Sequence, residues 1–191
     1  MAYFVLDIET VPVDKGAYLD AENDQERKKL LNPIDSRIIA IGLKKGNGKA
    51  LLFHGENEKE MLQKFWLELK GFRKGGSDKI IGFNIKEFDL PFLVTRSFIL
   101  EVEIVPFVLK DVVDLREKVS AYKYGKVRGK LKEYADFLGI EKMDIEGEDV
   151  AEEYWAGNIK KILEYLEKDL EITEAMYERI VRLKIDLIDR W

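Results

Sequence analysis

Cysteine is absent from the 191 residues, so neither a disulfide framework nor a thiolate metal site is available, and the redox compartment is left unmarked. No apolar run reaches the roughly 18–20 residues that a membrane span requires. The opening MAYFVLDIET lacks the basic start and small-residue cleavage site of a secretory signal, and it reads as a strand from its third residue. Cytoplasmic residence without a membrane partner is the expectation. An excess of basic charge is missing too. Against 32 Lys and Arg stand 37 Asp and Glu, a net charge of −5, which argues against a protein that coats long duplex DNA. A nuclease stays open, because carboxylates that hold metal count as negative until they are loaded. Only two glutamines occur beside abundant Lys and Glu, a composition that leans toward a heat-adapted source. Repeats and low-complexity tracts are also lacking.

What is present is a soluble, folded composition: 46% hydrophobic and 36% charged residues, in a length that suits one domain over 1–191 with an ample core. Residues 3–9 are apolar on both faces until the acids begin, as in a central strand covered on both sides. The polar stretch 13–36 reads as an insertion with a short helix around 22–31. RIIAIGLKK (37–45), the Gly-Asn-Gly turn at 46–48 and KALLFH (49–54) predict a hairpin. Helical spacing follows at Met61, Leu62, Phe65, Trp66 and Leu69. A short strand at 79–83, a helix over about 89–99 and extended apolar sequence at 105–115 come next, and from 130 on the chain is mostly helical. Three leading strands and then alternating helices and strands predict an α/β fold, a mixed sheet covered by helices.

Three segments carry acids in awkward places. Asp7 and Glu9 lie two apart in a strand and therefore share a face. They are either an exposed strand end or a pair that needs a cation between them, since adjacent carboxylates repel and lose hydration. In GFNIKEFDLPFL (82–93), Asp89 precedes Pro91 at a loop–helix junction, where it can cap the helix, bind a metal, or do both. In YLEKD, Tyr165 and Asp169 are four apart on the helical face that also carries Ile162, Ile172 and Met176. Asp169 is thus a border aspartate bonded by Tyr165 or a lysine, or a ligand on the inward side. Four carboxylates from a strand, a junction and a late helix form a hard oxygen donor set that suits Mg²⁺ or Mn²⁺ rather than zinc. Two such ions can drive an in-line phosphoryl displacement.

LDIET, the N-x-x-x-F-D of NIKEFD and the Y-x-x-x-D of YLEKD resemble, in order, the three exonuclease motifs of the DEDD superfamily. The chain is most similar to stand-alone predicted 3′–5′ exonucleases related to the proofreading domain of family-B DNA polymerases, and LKEYADFLGIEKMD fits that group. The resemblance spans about residues 3–180. It implies a ribonuclease-H-like fold with a five-stranded mixed sheet. It also implies two metal ions on Asp7, Glu9, Asp89 and Asp169, with Tyr165 orienting the attacking water as in the tyrosine subtype. His54, the single histidine, ends a hairpin strand and cannot stand in the third motif. Thr10 and Asn84 match positions near the terminal nucleotide and Phe88 one beside the site; each also has an ordinary structural reading. The implied substrate is the 3′ end of nucleic acid, single-stranded DNA first. The alternatives are RNA 3′-end trimming, or a binding module or assembly subunit without turnover, and the implied company is replication or repair proteins.

Two further segments draw attention. Asp114 ends a strand, either as a hydrogen-bonded strand-end acid or as a neighbour of the site. Residues 116–132 hold seven basic residues and one acid, with Tyr122 and Tyr124 interleaved. There Lys123, Lys126 and Arg128 are candidates to grip a phosphate backbone, the alternative being a solvated loop. The tail at 178–191 is either core helix or a dimer surface.

Overall fold

A computed structural model describes residues 3–72, 78–123 and 129–189. It contains a five-stranded mixed sheet in the order β3-β2-β1-β4-β5, the α/β arrangement of a ribonuclease-H-like fold. The strands are β1 (Tyr3–Pro12), β2 (Ser36–Lys45), β3 (Ala50–His54), β4 (Lys79–Gly82) and β5 (Val112–Asp114). β1, β2 and β3 pair antiparallel in sequence, whereas β4 runs parallel to β1 and β5 parallel to β4. Burial of nearly every β1 residue follows from this central place.

The alternation along β1 divides the core. Phe4, Leu6 and Ile8 face a cluster with Leu62, Phe65 and Trp66 of α3 (Glu58–Phe72) and Leu90, Phe92 and Leu93 of α4 (Asp89–Ile99). Val5 and Val11 face the other way, into two clusters supplied largely by the 24-residue helix α8 (Ile159–Arg182). The remaining helices are α1 (Lys15–Asp20), α2 (Asp24–Leu30), α5 (Leu115–Val119), α6 (Leu131–Leu138) and α7 (Val150–Trp155). A buried bidentate pair locates α4: Arg96 Nε and Nη2 reach Glu58 Oε1 and Oε2 at 2.9 and 2.7 Å, and Glu58 Oε1 also accepts from the Ile38 N–H of β2.

Differences from the expected elements are local. The polar stretch 13–36 holds two short helices rather than one, capped by Asp14 and Asn23. Only three residues of 105–115 pair as a strand. Ile104, Val105 and Phe107 pack against the α3–α4 cluster through side chains alone, so their hydrophobicity serves burial rather than pairing. Among the described residues no helix is long and apolar enough to cross a membrane.

Candidate active site

Asp7 and Glu9 belong to the odd-numbered face of β1, the one turned toward α8. Pairing with β2 shifts register between Glu9 and Thr10, so the ladder is broken directly after the two acids. Gly42 of β2 lies opposite Asp7. A Cβ at Gly42 would come within 2.7 Å of Leu170 Cδ1 and 3.1 Å of Leu166 Cγ, so α8 lies on the bare backbone of the sheet. That close approach carries Asp169 to the strand: one carboxylate oxygen each from Asp7, Glu9 and Asp169 all lie within 4.8 Å of one another. Asp89 arrives from the opposite face. It is the first residue of α4, its Oδ1 accepts from the Ile8 N–H at 3.1 Å, and its carboxyl group shares a hydrogen bond with that of Asp7. Asp89 does not cap its helix. The cap position is Phe88, which makes no side-chain cap bond.

Crowding four acids in a buried corner perturbs all of them. Burial first, then the charges of Asp89, Glu9 and Asp169, hold Asp7 well above the ordinary carboxylate range. Burial followed by Asp169 and Asp89 does the same to Glu9, with Lys132 pulling the other way. Asp89, 2% exposed, is pushed up to about 7 by burial, against hydrogen bonds from backbone N–H groups and from Asp7. Asp169 rises to about 6 by burial, opposed by the Tyr165 hydroxyl and Lys132. Tyr165, stacked one turn before Asp169, is raised by burial and by Asp169, Glu9 and Asp7, so its hydroxyl keeps its proton and acts as a donor.

The donor set fits a divalent cation. Asp169 Oδ1 is buried and has no hydrogen-bond partner among the described residues, an arrangement that costs free energy unless a cation or proton meets it. All available ligand atoms are carboxylate oxygens, the chemistry of Mg²⁺ and Mn²⁺ sites.

Lys132 is the residue that sequence reasoning placed elsewhere, in the basic segment. It is buried, its Nζ stands 5.0 Å from the centroid of the Tyr165 ring, and it donates to Met143 O and Glu146 Oε1, both at 3.3 Å. The available signal was its spacing of three from Ala135, since these two are the buried residues of α6.

Thr10 is buried and lines a cleft of about 230 Å³ with Tyr18, Arg27, Lys28, Gly147 and Glu148. The 13–36 segment thus supplies one wall of a cleft beside Glu9, tied across by Lys28–Glu148 at 3.1 Å and Arg27–Glu152 at 3.8 Å. Phe88 is half-buried, its ring 4.8 Å from that of Phe92. Asn84 lies in the loop between β4 and α4 with φ 61°. Asp114 is a hydrogen-bonded strand-end acid: it accepts from Asn84 N at 3.0 Å, Lys86 N at 3.2 Å and Arg116 N at 3.0 Å. His54 is exposed at the end of β3. Of the basic segment, Lys118 is buried and donates to the backbone carbonyls of Asp186 and Ile188, and Arg116 Nη1 donates to Asn84 Oδ1 at 3.0 Å. Lys123 is exposed, whereas Tyr124, Lys126 and Arg128 lie outside the described residues.

Comparison with known proteins finds similarity in sequence and in fold. A family model described as a predicted 3′–5′ exonuclease related to the exonuclease domain of PolB matches residues 36–189, which include Asp89, Tyr165 and Asp169 and begin after Asp7 and Glu9. An uncharacterized protein of Methanocaldococcus jannaschii is 36% identical over 172 residues, covering 79% of this chain and 89% of that protein. The family B DNA polymerase of the hyperthermophilic archaeon Pyrobaculum calidifontis matches in fold with a TM-score of 0.72 at 21% identity, over 98% of this chain. The chain spans a quarter of that polymerase, 25% of its length.

Proposed function

The chain belongs to the family of predicted 3′–5′ exonucleases related to the exonuclease domain of PolB, and from that premise we propose that it hydrolyses phosphodiester bonds one nucleotide at a time from the 3′ end of nucleic acid, single-stranded DNA foremost. One observation carries the reading. Carboxyl groups from β1, α4 and α8 converge in a mostly buried cluster whose acids are all held above their ordinary range. Such a cluster is stable in ionised form only against compensating positive charge. Two divalent cations on Asp7, Glu9, Asp89 and Asp169, Mg²⁺ or Mn²⁺, supply when bound the charge that activates water and stabilises the leaving oxygen.

The protein's own groups do the rest. Tyr165 keeps its proton and donates, which suits it to orient the attacking water from beside Asp169. Lys132 offsets part of the negative charge at Glu9 and Asp169 and flanks the Tyr165 ring. Thr10, Asn84 and Phe88 are the candidates to contact the terminal nucleotides, and Lys123, Lys126 and Arg128 to draw the strand toward an otherwise acidic site.

The deciding experiment incubates 5′-labelled DNA and RNA oligonucleotides with the protein, with and without Mg²⁺ or Mn²⁺. Stepwise shortening from the 3′ end, abolished by chelator, is the expected result, and the two arms read the sugar preference. Long internal fragments, or full activity in excess EDTA, overturn the proposal.

A further inference from the structure

Asn84 adopts a left-handed backbone, with φ 61°, in the loop that leads from β4 to Asp89. Non-glycine residues adopt this conformation at a cost and hold it where the surroundings over-determine it. Here they do so from two sides. Asp114 Oδ1 accepts the Asn84 N–H at 3.0 Å and also the Arg116 N–H at 3.0 Å, locking the loop to the start of α5. Arg116 Nη1 then returns across the gap to Asn84 Oδ1, again at 3.0 Å. A guanidinium carries donors only, so the amide atom it meets is the oxygen. The amide NH₂ of Asn84 is thereby turned away from Arg116 with its orientation set. Asn84 is only half-buried and sits five residues before Asp89.

We propose that Arg116 and Asp114 are positioning residues for Asn84: they hold its side-chain amide so that the NH₂ donates to the terminal nucleotides of a bound strand. Arg116 therefore acts through Asn84 rather than as one of the backbone-gripping cations of the basic segment. The inference rests on the proposed function in taking a nucleic-acid 3′ end as the ligand. Asn84 touches the strand; Arg116 and Asp114 do not.

A double-mutant cycle read by two assays tests this. Asn84→Gly removes the amide yet keeps a residue at ease with positive φ, and it leaves the backbone N–H for Asp114. Arg116→Met removes the guanidinium. Binding of a fluorescent single-stranded oligonucleotide is measured by anisotropy with Ca²⁺ in place of Mg²⁺, beside 3′–5′ digestion with Mg²⁺. Each single variant should weaken binding by about 3- to 10-fold, the worth of one oriented hydrogen bond. The double variant should bind no worse than Asn84→Gly alone. The slope of log K against log salt should stay as in wild type, because no phosphate contact is lost. A merely structural arginine would weaken binding in the Asn84→Gly background as well, and a direct phosphate contact would lower the slope by about 0.7. Either result overturns the proposal, as does wild-type binding by Arg116→Met. If wild type binds but does not digest, the hydrolytic reading fails while the positioning role is still decided by the binding cycle. If wild type binds no strand at all, both fall.

Discussion

Replacing Asp89 by Asn should make the metal-free protein more stable at neutral pH, and the size of the gain follows from the site. Asp89 is 2% exposed and pushed up to about 7 from an ordinary value of 3.8, with burial as the leading cause. The folded state thus binds more protons than the unfolded chain between about pH 4 and 7, so stability falls as pH rises through that window. A shift of this size corresponds to on the order of 4 kcal/mol, fully present as stability below pH 4 and lost once pH passes 7. Asparagine cannot ionise and still accepts from the Ile8 N–H. In EDTA, thermal melts of wild type and Asp89→Asn from pH 4 to 8 should therefore coincide near pH 4. They should diverge toward pH 8, with the variant melting higher by about 10 °C for a chain of this length. Saturating Mn²⁺ should raise the wild type and not the variant, because binding to the folded state alone stabilises it. The difference between the two curves is the informative quantity, since carboxylates elsewhere with lowered values, such as Glu148, act in the opposite sense. An Asp89→Asn variant less stable than wild type by the same margin at every pH would refute the reasoning, because Asp89 would then be a structural acceptor with no desolvation penalty.

Other expectations follow from the same geometry. Tyr165→Phe removes one orienting hydroxyl and should lower kcat by about 10²–10³ or less, whereas Asp7→Ala and Asp169→Ala should leave almost no activity; full activity in Tyr165→Phe, measured on a labelled single strand, contradicts the role given to it. Lys132→Met removes the charge that lowers Glu9 and Asp169, so the acidic limb of the pH–rate profile should move to higher pH, and an unmoved limb excludes that electrostatic role. Replacing Lys123, Lys126 and Arg128 together by Ala should raise KM and flatten the salt dependence of binding by up to about 0.7 per lost contact, with kcat little changed; an unchanged slope in a binding titration assigns the segment to solvated loop.

Much of the candidate site's geometry was legible because it is written in short-range periodicity. The spacing of Asp7 and Glu9 matches the two-residue period of β1, and Tyr165 and Asp169 match one turn of α8. In the structure Ile162, Ile172 and Met176 are buried on that helix, as an inward-facing stripe requires. The hairpin of β2 and β3 followed from its turn residues, and the order of the three motifs carried the family resemblance. The stretch 105–115 shows the limit of such reading, for an apolar run does not say whether its backbone pairs: only Val112–Asp114 does.

By itself, then, the sequence determined which residues share a face, and it marked the acids at positions awkward for ordinary surface groups. Tertiary structure alone decided what meets across the chain. The bare Gly42 lets α8 lie on the sheet and bring Asp169 to Asp7, and the Ile8 N–H fixes Asp89 across 81 positions of sequence. Lys132 leaves the basic segment for the ring of Tyr165, Arg116 closes on Asn84, and the 13–36 segment walls a cleft beside Thr10. The reason is physical: a local pattern repeats with the backbone and can be read along it, whereas these contacts depend on how closely two distant surfaces pack, which the chain encodes only once it is folded.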